Sequence, residues 1–400
     1  MMPNLDLSGK TVLVLGAYGF IGAAVIRALQ ADGAAVTGLV RNVQTAQRVL
    51  PGVALVRGDL RDLTTVADWS TMLEGIQFVV NCAGALQDSR HDDLHAVHHR
   101  AIAALGEACA EAGVAIVQIS AIGAEPDAST AFMRTKAEGD VALRASGAAL
   151  WLFRPGLVIG QSDYGGTALL RMLAAVPFVQ PVAYPETPVQ CVGMQDVCMA
   201  VSQAVCGDLA SGEYDLVEDA PHPLSQVLAV TRRWLGFPTA WATITAPPPV
   251  IKLVAAAADV LGSLGWRSPL RTTAMTVMTQ GVTGDPEPYR GATGRSLAGL
   301  DEIYASLICA REHRLAARMT LLMPAVVGVL SLFWLLSGVF GLIGLSQASE
   351  ILTRSGWSDG MAHTNVILWS LVDIALGLAV LWRPWAARVC LLQASVACSI

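Results

Sequence analysis

The stretch Gly16-Ala17-Tyr18-Gly19-Phe20-Ile21-Gly22, "GAYGFIG", sits between the apolar run "TVLVL" (11–15) and "AAVIRALQADG" (23–33). The run before it reads as a strand buried on both faces, and 22–33 reads as a helix closed by glycine. Between them the spacing is G-x-x-G-x-x-G. The first glycine permits a tight turn, the second lets backbone approach a diphosphate, and the third lets helix and strand pack closely. The N–H groups that open the helix then meet the phosphate charge. A glycine pattern alone is a weak signal; here a strand precedes it, and a helix and a second strand (34–40) follow, the setting of a dinucleotide-binding turn. Lys10 ahead of an apolar run also raises a signal peptide, but the three glycines argue against one.

Working outward, "AAVTGLV" (34–40), "VALVRGD" (53–59), "FVVNCAG" (78–84), "VAIVQIS" (114–120) and "LWLFRPGLVIG" (150–160) read as further strands. Helical patterns at 43–50, 66–74, 94–112 and 130–146 fill the intervals. This alternation predicts an α/β doubly wound parallel sheet of the Rossmann type. After Gly160 the rhythm breaks into Pro-rich connections, a helix with Asp196 near its start, the strand "GEYDLV" (212–217) and the helix "LSQVLAVTRRWLG" (224–236). A small substrate lobe, mainly 161–300, is expected there. The apolar segment 250–266 is divided by Lys252 and Asp259; a lobe helix is the favoured reading and a membrane-interface helix the other.

The chain of 400 residues has only 14 % charged residues and a net charge of −6, against roughly 25 % charged in a typical soluble domain. Mean hydropathy is +0.51. The acidic balance and the lack of a basic run with interleaved aromatics argue against nucleic acid. Eight cysteines lie scattered without a C-x-x-C pair, as expected of reduced thiols in a reducing compartment. Met319–Ser349 carries no charge and exceeds the ~20 apolar residues needed to span a bilayer. A soluble body at 1–310 and a membrane domain at 311–400 follow, with spans about 319–345, 363–382 and 387–400. The third is too short to cross alone, so the tail is expected to continue past Ile400. Arg311, Arg314 and Arg318 precede the first span and Arg383 and Arg388 follow the second, which places the soluble body on the cytoplasmic side of an inner membrane in a multi-pass protein. The tail helices could also meet a membrane-protein partner.

The strand ends refine the ligand. Arg41 stands in "LVRN", where an acidic residue would accept from the ribose 2′-hydroxyl of NAD; a guanidinium suits a 2′-phosphate, so NADP(H) is preferred over NAD(H). Asp59 in "RGDLRD" can meet the adenine amino group, cap the following helix, or both. "NCAG" (81–84) supplies small residues against the cofactor.

In this order, "GAYGFIG", "LVR", "GDLRD", "NCAG", "ISAIGA", "RTKAEG" and "RPGLVIG" resemble the short-chain dehydrogenase/reductase superfamily over about residues 8–300. The nearest branch is its atypical members related to the NAD(P)H-binding accessory subunit of respiratory complex I. The tail resembles the DoxX-like membrane domain. The resemblance implies cofactor contacts at Gly16, Tyr18, Gly19, Phe20, Ile21, Gly22, Arg41, Asp59, Leu60, Ala83, Gly84, Ser120, Lys136, Pro155 and Gly156.

It also exposes a gap. Active members use a serine with Y-x-x-x-K, the tyrosine as general acid/base and the lysine holding the nicotinamide ribose. Ser120 and Lys136 match the serine and lysine, but the tyrosine position is Phe132, on the same helix face four residues away. Losing a general acid costs roughly 10²–10⁴ in rate. Tyr164, in "GQSDYGG" after the sixth strand, could replace it, or is an ordinary loop tyrosine; Ser120 could relay a proton instead. His91, His95, His98 and His99 crowd one segment, and His91/His95 have metal-compatible spacing; a polar helix face is the favoured reading and no metal is expected. Asp196 reads as a helix cap. Asp373, a carboxylate inside a span, is a candidate for helix assembly or for proton or quinone contact.

Two function classes follow. One is a membrane-tethered NAD(P)H-dependent oxidoreductase, reducing or isomerising a lipophilic carbonyl or quinone-type small molecule. The other is a non-catalytic NADPH-binding sensor or assembly protein.

Overall fold

A computed structural model describes residues 5–84, 93–266 and 279–399. Six strands alternate with helices: β1 (Thr11–Leu15), α1 (Phe20–Ala31), β2 (Ala35–Val40), α2 (Val43–Val49), β3 (Ala54–Arg57), α3 (Val66–Ser70), β4 (Phe78–Asn81), α4 (Ala101–Ala112), β5 (Ala115–Ile119), α5 (Ala131–Ala145) and β6 (Leu150–Pro155). The short strands β7 (Leu157–Ile159), β8 (Val179–Val182), β9 (Pro188–Val189) and β10 (Cys191–Gly193) follow, with α6 (Gly166–Ala174) and α7 (Met194–Cys206) among them. β11 (Gly212–Leu216) then joins the main sheet, whose seven parallel strands run β3-β2-β1-β4-β5-β6-β11. β12 (His222–Pro223), α8 (Leu224–Trp234) and β13 (Ala242–Thr245) complete the lobe region, β7 pairing with β10, β9 with β12 and β8 with β13.

β1 is apolar throughout because both of its faces are covered. Val12 and Val14 point to one core, with Val25, Ile26 and Leu29 of α1 and Val197, Val201 and Val205 of α7. Leu13 and Leu15 point to the other, with Trp69, Ile102, Leu105 and Leu143. Burying each such side chain contributes about 1.5–3 kcal/mol. The strand order reverses between β1 and β4, so the loops leaving their carboxyl ends diverge and open a crevice, the position where sheets of this kind bind ligands.

Two predicted elements differ in detail. The predicted helix 94–112 begins with a π turn, Ala96–Arg100, a feature that often marks functional sites. Gly139 of α5 packs directly onto it, since a Cβ there would lie 1.9 Å from the His98 carbonyl oxygen. The predicted strand 150–160 divides at Gly156, whose N–H donates to Leu216 O in β11 (3.0 Å), while the next N–H, of Leu157, donates to Gln190 O (3.0 Å). The chain leaves the main sheet there.

The chain divides into two compact units, Met1–Ala246 with Thr273–Ala310, and Pro247–Thr272 with Arg311–Ile400. Helix α9 (Pro248–Ser263) therefore clusters with the C-terminal helices, whereas the charge pattern favours the lobe. In this second unit, Arg311–Ile343 and Asp359–Ala379 are long and apolar enough to cross a membrane. Small residues let them touch: a Cβ on Gly338 would lie 2.4 Å from Ser370 O, and one on Gly377 3.0 Å from Ser331 O. Ser331 Oγ donates to Gly377 O (2.8 Å) and Ser337 Oγ to Asp373 Oδ2 (2.7 Å). The third expected span falls in Arg383–Ser399, a helix of 17 residues, shorter than the ~20 a bilayer crossing needs.

Candidate active site

The glycine turn forms as its spacing predicts. Gly16 has φ +68°, a conformation open to glycine, and a Cβ on it would fall 2.7 Å from Ala83 Cα in the loop after β4. The two loops flanking the crevice thus touch. A Cβ on Gly22 would lie 2.3 Å from Gly16 O, so the third glycine is what lets α1 start against the turn. Gly19 N–H closes the turn on Gly16 O (2.9 Å). The N–H groups of the first turn of α1, at Phe20, Ile21 and Gly22, have no acceptor within the helix and form the anion-binding end. Tyr18 and Ile21 pack on the core beneath. This bare backbone cradle fits a dinucleotide diphosphate.

At the next strand end Arg41 is exposed, and Asn42 caps α2 by accepting from Thr45 N–H (2.9 Å). Asp59 accepts from Arg61 Nη2 (2.7 Å) and from the Arg61 backbone (3.0 Å). Partial burial opposes ionisation, but the hydrogen bonds and charge of Arg61, with Arg41 adding, hold the Asp59 carboxyl below its usual range. Leu60 beside it is buried. After β4, Ala83 N–H donates to Asn81 Oδ1 (3.0 Å), and Gly84 faces His98, whose Nε2 would be 3.6 Å from a Cβ there.

The chemical half lies along β5 and α5. Lys136 is buried and its Nζ donates to Ile119 O (2.9 Å). Burial lowers its pKa, while Asp140, one turn on, opposes. Ser120 ends β5, its N–H fixed to Phe153 O (2.8 Å) and its hydroxyl donating to Asp140 Oδ2. Asp140 Oδ1 accepts from Gln118 Nε2 (3.2 Å), and Gln118 Oε1 from Asn81 Nδ2 (2.8 Å). Burial raises the Asp140 carboxyl above its usual range, with Lys136 and the two hydrogen bonds opposing. A polar chain thus runs from Asn81 through Gln118 and Asp140 to Ser120. Asp140 went unread in the sequence, although it follows Lys136 at i+4 on one helix face.

Phe132 occupies the tyrosine position, its ring edge-on to His98 at 5.5 Å and 5.9 Å from Lys136 Nζ. It offers no proton. His98 Nδ1 lies 3.0 Å from Thr135 Oγ1, which itself donates to Ala131 O (2.9 Å), so the hydrogen-bond network assigns the proton to Nδ1. Burial, then Lys136, pushes the imidazole down to about 3. Tyr164 is half-exposed and stacks on Phe20 of the glycine turn, 6.5 Å between centroids. Its loop is tied down by the buried Arg171, which donates to Gly160 O (2.7 Å) and Gln161 O (3.2 Å). Gly156, after Pro155, has room for no side chain, since a Cβ would lie 2.4 Å from Gln190 O.

The remaining candidates fall outside this crevice. Asp196 is not the cap of α7, which is Gly193, but lies in the first turn with its carboxyl near the Gly193 and Ala298 backbone, and burial raises its pKa. His95, His99 and Glu138 bring ligand atoms within 4.8 Å of one another on the surface, where His95 Nε2 meets His99 Nδ1 at 3.2 Å and Glu138 at 3.5 Å. His91 lies outside the described residues.

The comparisons agree with this geometry. Residues 16–171 match the family described as NAD(P)H-binding, and 331–399 the DoxX-like family. A ceramide reductase of Caulobacter vibrioides is 27 % identical over 46 % of this chain and 57 % of its own length. The match thus spans under two thirds of that relative. Sterol demethylase protein B of Methylococcus capsulatus is 28 % identical over 63 % of this chain and 82 % of its own. Among solved structures, the NADPH-dependent quinone oxidoreductase QOR2 of Escherichia coli, complexed with NADPH, has a TM-score of 0.55 at 21 % identity, covering 74 % of this chain and 98 % of that one. Bordetella bronchiseptica WbmG in complex with NAD and UDP has a TM-score of 0.55 at 15 % identity, covering 76 % and 93 %. The chain joins an NAD(P)H-binding domain of Rossmann-like fold to a C-terminal DoxX-like domain.

Proposed function

We propose that this protein is a membrane-tethered NAD(P)H-dependent reductase of a lipophilic carbonyl or quinone-type compound, with NADP(H) preferred. Two relatives named for a ceramide and a sterol support a lipid-like substrate, and both apolar helices support its delivery from a bilayer. The single observation that carries a catalytic reading is the buried Ser120–Asp140 pair beside Lys136 at the sheet's carboxyl edge. A buried, unused cofactor platform would have no need of it.

The reduced nicotinamide supplies a hydride when bound. The residues of this chain supply the rest. Gly16, Gly19, Gly22 and the start of α1 hold the diphosphate, Arg41 the 2′-phosphate, and Lys136 the nicotinamide ribose. Ala83, Gly84, Pro155 and Gly156 let backbone lie against the cofactor. Ser120 Oγ–H passes its proton to the oxygen of the carbonyl being reduced, and a proton taken up from water through Asp140, the hydroxyl's hydrogen-bond partner, replaces it. Burial raises the Asp140 carboxyl above its usual range, which favours the passage of a proton through it. Tyr164 is the alternative donor, held at the glycine turn by its stacking on Phe20. The soluble unit faces the cytoplasm, as the arginines bordering both spans support.

The second reading, a non-catalytic NADPH sensor or assembly protein, is favoured by Phe132 alone. NADPH oxidation by the full chain in nanodiscs, with long-chain ketones, sterol ketones and quinones, separates the two. Turnover in the wild type that falls about 10²-fold in Ser120→Ala supports the reductase. Turnover that arises only in Phe132→Tyr supports the sensor.

A further inference from the structure

We propose that α9 is an interfacial helix, lying along the lipid surface as a second attachment of the chain to the membrane. The inference rests on the reading of the C-terminal helices as membrane-spanning.

Three observations carry it. The first is packing: α9 belongs to the compact unit of the C-terminal helices. The turn that ends it is clamped to the end of the second span. Arg383 N–H donates to Leu264 O (3.1 Å), Arg383 Nη1 to Gly265 O (3.4 Å), and Trp266 Nε1 to Leu381 O (2.5 Å).

The second is the distribution of side chains around α9. Ile251, Ala255 and Ala258 are buried on one face. Lys252 and Asp259, seven residues apart, form a polar strip. Val250, Leu253, Val254 and Val260 form a third face that is exposed, Leu253 by 71 % and Val260 by 63 %. At about 100° per residue, the exposed apolar face and the polar strip lie on roughly opposite sides of the helix. A helix held by one face, with apolar and charged strips on its other two, suits a boundary between oil and water. An aqueous surface would leave the apolar strip unmatched.

The third is the company at that end. Trp266, Trp382 and Trp385 gather where the second span ends, with Arg383 among them. Indole rings and arginines of this kind concentrate at the headgroup level of a bilayer. The occupant of the exposed face is therefore lipid, the same lipid that meets the ends of the spans. Only Ala246 and Pro247 separate α9 from β13, so the lobe's own chain passes into the proposed interface.

Photo-crosslinking of the full chain in phosphatidylglycerol/phosphatidylethanolamine nanodiscs tests this. Benzoylphenylalanine is placed singly at Leu253, Val260, Lys252, Phe333 in the first span and Asp301 in the soluble unit. The expected result is lipid adducts at Leu253 and Val260, about tenfold above Lys252 and comparable to Phe333, with none at Asp301. Adducts at Phe333 without adducts at Leu253 or Val260 overturn the inference and leave the spans standing. Crosslinks from Leu253 to a second copy of the chain overturn it in favour of a protein contact. The absence of lipid adducts at Phe333 itself contradicts the membrane reading and removes the basis of the inference with it.

Discussion

The two walls of the crevice make an instructive pair. The wall built from β1, its glycine turn and the loop after β4 offers the cradle proposed for the diphosphate, and offers it mostly as backbone. A Cβ at Gly16 or Gly22 would collide with main-chain atoms at 2.7 and 2.3 Å, so these positions tolerate no variation without losing the turn. The wall built from β5 and α5 carries side-chain chemistry, and there the chain departs from the pattern it resembles. Lys136 is fixed to Ile119 O, Phe132 stands where the resemblance leads one to expect a tyrosine, and Ser120 is held by Asp140. Binding is fixed by shape, where substitution is costly. Chemistry is fixed by a few hydroxyls and carboxyls, where substitution leaves the fold intact.

The sharpest way to break this contrast is Gly22→Ala. A methyl group 2.3 Å from Gly16 O forces the turn apart, and affinity for NADPH should fall more than about 100-fold, or 2.7 kcal/mol, with circular dichroism unchanged. Retained affinity by fluorescence titration would show that the turn is not the binding site. On the opposite wall, Phe132→Tyr should raise NADPH oxidation by less than about tenfold, because Ser120 and Asp140 already supply the proton. A rise of about 10²–10⁴ would mean that a missing acid limits the rate and would favour the sensor reading.

His98 joins the walls, with Gly84 on one side and Phe132 on the other, and gives a stability test. Its folded pKa, about 3, lies below the unfolded value of 6.5. The unfolded chain therefore binds the proton first, and the stability present above pH 6.5 is lost as pH falls toward 3. The loss should approach about 1.4 kcal/mol per pH unit inside that window. Melting curves of His98→Gln should have a flatter acid limb; an unchanged limb would mean that His98 is not held neutral. Arg41→Ala should cut the preference for NADPH over NADH by roughly tenfold, the worth of one charged hydrogen bond, measured as a ratio of dissociation constants. The smallest effect is expected from Tyr164→Phe, less than about twofold in turnover. A larger loss would move the acid to the glycine-turn wall and reverse the assignment.

The same contrast explains what was legible before the structure. The glycine turn, the strand ends at Arg41 and Asp59, and the apolar faces of β1 follow from spacing and periodicity, which act over a few residues. Six strands of the sheet follow from the repeated strand–helix alternation; the seventh, β11, reads in the sequence as part of the lobe, but pairs with β6 across some sixty residues. The pairing of Ser120 with Asp140 and of Lys136 with Ile119 O links residues 17–20 positions apart across a strand and a helix, and no local pattern announces it. The π turn at Ala96–Arg100 depends on Gly139, forty residues away, leaving room for it. Lys252 and Asp259 resemble the polar face of a soluble helix and favour the lobe for helix α9, which clusters instead with the C-terminal helices. Its partners, Leu381 and Arg383, lie more than a hundred residues downstream.

Isothermal titration calorimetry of the intact chain in nanodiscs, with NADPH and then NADH, addresses the cofactor cradle most directly. One NADPH should bind per chain, more tightly than NADH, and the heat should vanish in Gly22→Ala. The absence of heat from the folded wild-type protein with either nucleotide would contradict the account.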